Sequence, residues 1–236
     1  MNNKIYDGVC NIQTMHLSTS KLPIHKQFLS AMLAGMFIGL AAYVSLLSAS
    51  SLYSIGMFGI GRCIAASVFP VGLILVCIFG VNLFTGNCLT YSQLPIKNAI
   101  KILIVSWFGN LLGIILLSHM LPTTQVHQIF IDTAILKSSL SPWNAFILGI
   151  GCNILVCIGI IAWRVYASII LVWIPIFLFV ACGFEHSVAD MFYLYFGSTN
   201  DFTYMFYAIF SLLMITCGNI AGGSIVYIIC KHCTIE

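Results

Sequence analysis

The sequence predicts an all-α integral membrane protein of six transmembrane helices, built as two inverted three-helix repeats with the second and fifth helices broken. Three observations predict it. Of 236 residues, 61% are apolar and only 6% are charged (9 Lys+Arg and 6 Asp+Glu), whereas a soluble domain is about 25% charged. Six long apolar stretches fill the chain. Its two halves also echo each other in their polar and small residues. So few ions cannot cover a water-facing surface, which excludes an ordinary cytosolic enzyme and a disordered tail. A nucleic-acid binder would need a basic face, and a net charge of +3 supplies none.

A helix crossing the hydrocarbon needs roughly 20 mostly apolar residues. The apolar stretches lie near 27–50, 62–94, 102–120, 142–163, 166–196 and 203–229. The second and fifth are too long for plain spans. The organisation read from this is an N-terminal segment over 1–26, one transmembrane domain over 27–229 and a tail over 230–236. Residues 1–26 hold Lys4, Lys21 and Lys26 without the apolar core of a signal peptide. Lys4, Lys21, Lys26, Lys97, Lys101, Arg164 and Lys231 fall on one side, and Arg62 and Lys137 on the other. Basic residues mark the cytoplasmic side, so both termini are expected there, in the cell's inner (plasma) membrane. Ile5, Val9, Ile12 and Met15 are spaced for a short amphipathic surface helix; a loose tail is the alternative.

The repeat is read from matched segments. Gly109-Asn110-Leu-Leu-Gly113 returns as Gly218-Asn219-Ile-Ala-Gly222, 109 residues later. Gly80-Val-Asn82-Leu-Phe-Thr-Gly-Asn87 lies over Gly183-Phe-Glu185-His-Ser-Val-Ala-Asp190, 103 residues later. Three spans per half is odd, so the halves must be inverted. Discontinuous helices at corresponding positions of inverted repeats point to a transport site near the midplane. Pro70 with Gly72, and Pro175, are expected to cause the breaks, because proline removes a helix hydrogen bond. Ordinary kinked helices are the alternative.

Intramembrane polarity collects on these segments: Glu185, His186 and Asp190 in one, Asn82, Thr85 and Asn87 in the other, with Asn110, Asn153 and Asn219 elsewhere. Ions at membrane depth cost about 2.5–3.5 kcal/mol on insertion scales and are functional by default. For Asn110 and Asn219, helix–helix bonding is the favoured reading. Asp190 either serves the break or caps and pairs locally. His186 titrates near neutrality and follows a glutamate in a broken helix, so a functional role is favoured over a satisfied core histidine. The cysteines in apolar stretches read as small hydrophobes. Cys230-Lys-His-Cys233 has metal-ligand spacing, but one such pair cannot complete a tetrahedral site. Neither a metal nor a cofactor is expected.

At these residues the sequence resembles the formate/nitrite transporter family. The resemblance runs through Lys26-Gln-Phe-Leu-Ser-Ala-Met-Leu-Ala-Gly-Met-Phe-Ile-Gly39, Asn82-Leu-Phe-Thr-Gly-Asn87 and Gly149-Ile-Gly-Cys-Asn153-Ile-Leu-Val-Cys157. It continues in Phe179-Val-Ala-Cys-Gly-Phe-Glu-His186-Ser-Val-Ala-Asp-Met-Phe192 and Gly218-Asn-Ile-Ala-Gly-Gly223, with Gly-Phe-Glu-His-Ser the most specific segment. It implies an aquaporin-like protomer with its own pore, in a homopentamer within the lipid bilayer. It also implies roles: His186 at the pore centre, Asn153 in contact with it, Glu185 adjacent, and Thr85 near the ring. Leu73, from a loop breaking span two, with Phe69 and Phe179, would form one apolar constriction. Leu83 and Phe84 would form the other. Lys137 would be the vestibule lysine that draws anions in. Thr85-Gly-Asn87 departs from the Thr-Ser-Thr associated with a formate channel.

The function expected is passage of a small monovalent anion (formate, nitrite or hydrosulfide) with a proton supplied or relayed at His186. The rival within that class is passage of the bare ion. A neutral-solute pore of aquaporin type is the alternative, although Asn precedes Pro nowhere in the chain. An enzyme would need a metal cluster or a nucleophile–base pair, and none is legible.

Overall fold

The computed structural model describes residues 3–122, 127–198 and 202–232, and every regular element within them is a helix. The N-terminal segment folds as α1 (Asn3–Lys21), with Val9, Ile12, His16 and Ser20 buried on one face. That face packs against α8 (Pro142–Tyr166), α6 (Ile96–Ser118) and α11 (Phe202–His232). The Lys101 ammonium donates to the Ser20 and Leu22 carbonyls at 3.0 and 3.1 Å, fixing the far end of α1.

Five helical stretches are long and apolar enough to cross a membrane. They are α2 (Ile24–Ser54), the joined pair α3 (Phe58–Val68) and α4 (Val71–Phe79), then α6, α8 and α11. A bent pair, α9 (Ile169–Cys182) and α10 (Ser187–Phe196), makes a sixth if counted as one span; its halves meet at 52°. Large apolar side chains such as Leu29, Phe108, Ile170 and Phe206 stand exposed on these helices. A wall of that kind suits lipid or another protein surface, not water. The chain is a multi-pass membrane protein.

The close pairs are α2 with α6 and α8 with α11. Small residues let their backbones touch, as at many membrane helix contacts. A Cβ on Gly113 would run into the Met32 carbonyl, and one on Gly149 would lie 2.7 Å from the Ile215 carbonyl.

Pro175 does not break α9, and Pro70 interrupts the second stretch only for the two residues between α3 and α4. Phe69 and Pro70 keep right-handed helical angles, and α3 runs into α4 as one 22-residue stretch. Pro70 precedes the first turn of α4, where a missing N–H has no intrahelical partner to lose. Pro175 lies inside α9, which continues to Cys182. The chain leaves its helix instead at Gly80 (φ 61°) and Gly183 (φ 73°), in the left-handed region that glycine adopts without penalty. Leu73 therefore sits within helix α4, not in a loop.

Another element escapes the sequence reading. Between α6 and α8 lies α7 (His127–Ser138). Phe130, fully buried on α7, stacks on Tyr43 with centroids 5.5 Å apart and meets Phe196 edge-on at 4.9 Å. That aromatic nest holds α7 across α2 and α10, and so sets Lys137 at the end of α7. Residues 199–201 of the segment between the fifth and sixth stretches, and Cys233 of the tail, lie outside the described residues.

Candidate functional site

Backbone that leaves a helix inside an apolar protein exposes N–H and C=O groups that need partners. Two asparagines supply them. Asn110 Oδ1 accepts from Phe84 N (2.9 Å), while its Nδ2 donates to the carbonyls of Asn82 (3.1 Å) and Ala31 (2.7 Å). Asn219 Oδ1 accepts from Ser187 N (2.8 Å), while its Nδ2 donates to the carbonyls of Glu185 (3.0 Å) and Gly149 (2.8 Å). Each side chain thus splices one break, from the end of one helix to the start of the next. This is more than the helix–helix bonding favoured from sequence.

The two breaks meet side by side. The first leads into the short helix α5 (Phe84–Asn87), which carries Thr85; the second ends at His186, the residue preceding α10. Thr85 Oγ1 lies 3.0 Å from His186 Nε2, and both residues are buried. The other ring nitrogen, Nδ1, accepts from Ala189 N at 3.1 Å and caps α10. A neutral imidazole has one donor and one acceptor nitrogen. With Nδ1 accepting, the hydrogen sits on Nε2 and points to Thr85, whose own hydroxyl hydrogen is left for another acceptor.

Over this pair lies a cavity of about 840 Å³ whose wall includes His186, Phe69, Phe179, Glu185, Asp190 and Lys137. Phe69 and Phe179 meet edge-on at 5.4 Å, and Phe179 stacks on the His186 ring at 5.9 Å. Apolar rings thus close the cavity floor around the imidazole. Thr85, Leu73, Leu83, Phe84 and Asn153 are buried beyond that wall and do not line the cavity.

Two expected site residues have hydrogen-bond or ion-pair partners of their own. Asn153 is buried, its Nδ2 donates to the Asn219 carbonyl at 2.6 Å, and its Oδ1 has no hydrogen-bond partner. Lys137 is not a free cation. It forms an ion pair with Glu185 and lies 2.7 Å from Asp190 Oδ1. The ionisable cavity wall holds Arg62 and Lys137 against Asp132, Glu185 and Asp190, a formal charge of −1 (+2 − 3) rather than positive. Asp190 lies near Glu185 of the same break, but its cation comes from 53 residues away. The signal for this was the scarcity of charge itself, since buried carboxylates require a cation and only Arg62 and Lys137 had been assigned to this side.

On the opposite face, His16 of α1 is buried and its Nδ1 lies 2.6 Å from Thr90 Oγ1, just past α5. Burial and, second, the Arg164 charge push this imidazole down from 6.5 to about 4.

A bundle of apolar membrane helices with two spliced breaks meeting at a buried histidine below a cavity has the build of a pore protomer. The comparisons with known proteins agree. A family profile described as Formate/nitrite transporter matches residues 7–233, and the chain belongs to that family, one of transporters rather than enzymes. A "Probable formate transporter" of Methanothermobacter thermautotrophicus is 31% identical over 90% of this chain and 89% of its own length. Among solved structures, an "FNT family ion channel" superposes with a TM-score of 0.84 over all of both chains at 23% identity, which bears on the fold. A "Pentameric formate channel with formate bound" superposes with a TM-score of 0.75 at 25% identity, covering 85% of this chain and 92% of that one.

Proposed function

We propose that each protomer is a pore for a small monovalent anion of a weak acid, formate foremost, which crosses as the neutral acid after taking up a proton beside His186. The observation that carries this is the Thr85–His186 contact, where two helix breaks meet at the floor of a cavity. Formate is preferred because a relative and a solved neighbour carry that name, which outweighs the Thr85-Gly-Asn87 departure; nitrite and hydrosulfide are the alternatives.

The energetic argument decides between acid and ion. A bare ion in low dielectric costs several kcal/mol even after relaxation. Protonating a carboxylate of pKa about 3.9 at neutral pH costs roughly 3 × 1.36, or about 4 kcal/mol. The neutral form then passes apolar layers cheaply. Phe69 and Phe179 with Leu73 would make one such layer, Leu83 and Phe84 the other. Between them the anion meets the His186 Nε2–H and the Thr85 hydroxyl. His186 orients and donates rather than storing the proton, because protonating Nδ1 would displace the Ala189 N–H from its acceptor. An orphaned buried donor costs about 1–3 kcal/mol.

The same reading takes the chain as six spans in two inverted three-helix repeats, with the second and fifth spans broken. It places the chain as a homopentamer in the inner membrane, with both termini cytoplasmic. The matched Asn110 and Asn219 splices support the repeat. Lys101 and Arg164 gather at α1 while Arg62 and Lys137 share the cavity, which supports the orientation.

The test is flux into proteoliposomes of formate, nitrite and hydrosulfide, at mildly acidic and mildly alkaline pH, for the wild type and His186→Phe. Fast flux of one anion, rising toward acid and lost in the variant while the oligomer persists, is the expected result. Equal pH-independent flux in both proteins would overturn the role of His186. Passage of a neutral solute with no anion flux would replace the reading by a neutral pore.

A further inference from the structure

Lys137 faces one carboxylate too many. Its ammonium pairs with Glu185 and lies 2.7 Å from Asp190 Oδ1, and the two carboxyl groups come within reach of each other around it. Asp190 is 1% exposed and Glu185 7%. If both were ionised, the cluster would carry an uncompensated charge of −1 on groups that are scarcely exposed. The surroundings offer little relief. The titratable and charged groups around it are Asp132 on α7, Arg62 on α3, Tyr53 on α2, Cys152 on α8, and His186 and Tyr193 at α10. Among the described residues Arg62 is the single further cation of the cavity wall, and Asp132 offsets it.

A second observation points to what is bound there. Asp190 Oδ2 is buried and accepts no hydrogen bond, while Oδ1 has the Lys137 ammonium beside it. Buried polar atoms are rarely left in that state. One hydrogen shared between Asp190 Oδ2 and the Glu185 carboxyl group satisfies that oxygen and brings the charge to zero. Two carboxyl groups at one site that cannot both ionise share a proton in just this way.

We infer that Lys137, Glu185 and Asp190 form a proton-binding site in which the two carboxyl groups share one exchangeable proton, held in the cavity wall beside His186 for delivery to the entering weak-acid anion. In delivery the carboxyl O–H bond breaks and the proton bonds to the anion. The neutral acid moves to the apolar layer, and the cluster passes from zero to −1. Water in the cavity then returns a proton from bulk. Delivery rests on the transport reading above; the resident proton does not.

The test is infrared spectroscopy of the purified full-length protein at neutral pH, where a protonated carboxyl group absorbs apart from a carboxylate and shifts on exchange into heavy water. The chain has only six Asp+Glu residues, so the band is assignable. The wild type should show one exchangeable carboxyl band. Asp190→Asn should remove it, leaving a neutral Lys137–Glu185 pair, and should lower formate flux at neutral pH several-fold. Lys137→Met should double the band. Its absence from the wild type, which needs no variant, or its survival in Asp190→Asn would overturn the site. A wild-type band with no anion flux would leave the site standing and sink the transport reading. A band lost in Asp190→Asn with flux unchanged would overturn delivery.

Discussion

The two helix breaks share a backbone solution and differ in what they carry. After α4 and after α9 the chain turns out of the helix at a left-handed glycine, Gly80 or Gly183. It then runs extended for a few residues and re-enters a helix, with an asparagine from α6 or α11 bonding both sides of the gap. The side chains on the first break are neutral: Asn82, whose Oδ1 takes a hydrogen bond from Asn87 at 2.7 Å, and Thr85. The second carries Glu185, His186 and, one turn on, Asp190, with Lys137 brought in by α7. The splice is thus common to both breaks, while the ions belong to the second alone.

If that division holds, the largest stability effect belongs to the ions of the second break. Lys137→Met leaves buried carboxyl groups without their cation, and breaking a buried pair costs about 3–5 kcal/mol. Thermal unfolding in detergent should show a fall of that order at neutral pH, shrinking as acid protonates the same carboxylates in the unfolded chain. No single substitution of Asn82 or Thr85 should match it.

The splices themselves should respond alike. Asn110→Ala and Asn219→Ala each remove three side-chain hydrogen bonds, about 3 kcal/mol at a net 1 kcal/mol apiece. Unfolding midpoints of the two variants should drop together. One variant at wild-type stability would end the equivalence.

The first break has its own titratable neighbour, and the sign of its effect is fixed. Unfolded histidine takes up a proton near 6.5, whereas buried His16 resists until about 4. Between those values the unfolded chain binds more protons, so stability is full above about 6.5 and falls as pH drops toward 4. The loss is at most about 3 kcal/mol, from 2.5 × 1.36. Stability measured against pH should flatten across that window in His16→Gln.

Thr85→Val, which removes the acceptor for His186 Nε2–H, should be mildest for folding, at about 1 kcal/mol. Its flux should nonetheless fall well below wild type. A variant with normal flux would make Thr85 a packing residue.

Much of this was legible in the sequence. Charge scarcity and the apolar stretches were enough for a multi-pass membrane protein, and Gly183-Phe-Glu-His186-Ser was enough for the family. The causes of the breaks were misread because proline is the louder punctuation. Pro70 falls where its missing N–H does no harm, while Gly80 and Gly183 stood unremarked at the head of the matched segments. Helix α7 was missed because it is short and weakly patterned; Phe130 and Ala134, one turn apart and both buried, were its trace. The partners of Lys137 lie 48 and 53 residues away, a separation no local pattern reports. Asn153 was given a contact with His186 by resemblance, and its hydrogen bond goes to the neighbouring splice.

The central claim is that the anion crosses as a neutral acid, and the direct test is formate uptake into proteoliposomes under an imposed membrane potential, with internal pH recorded at the same time. Electroneutral passage predicts one proton entering with each formate and a rate indifferent to the sign of the potential. Uptake that accelerates when the interior is made positive, with no accompanying acidification, would mean that the bare ion crosses and would contradict the account.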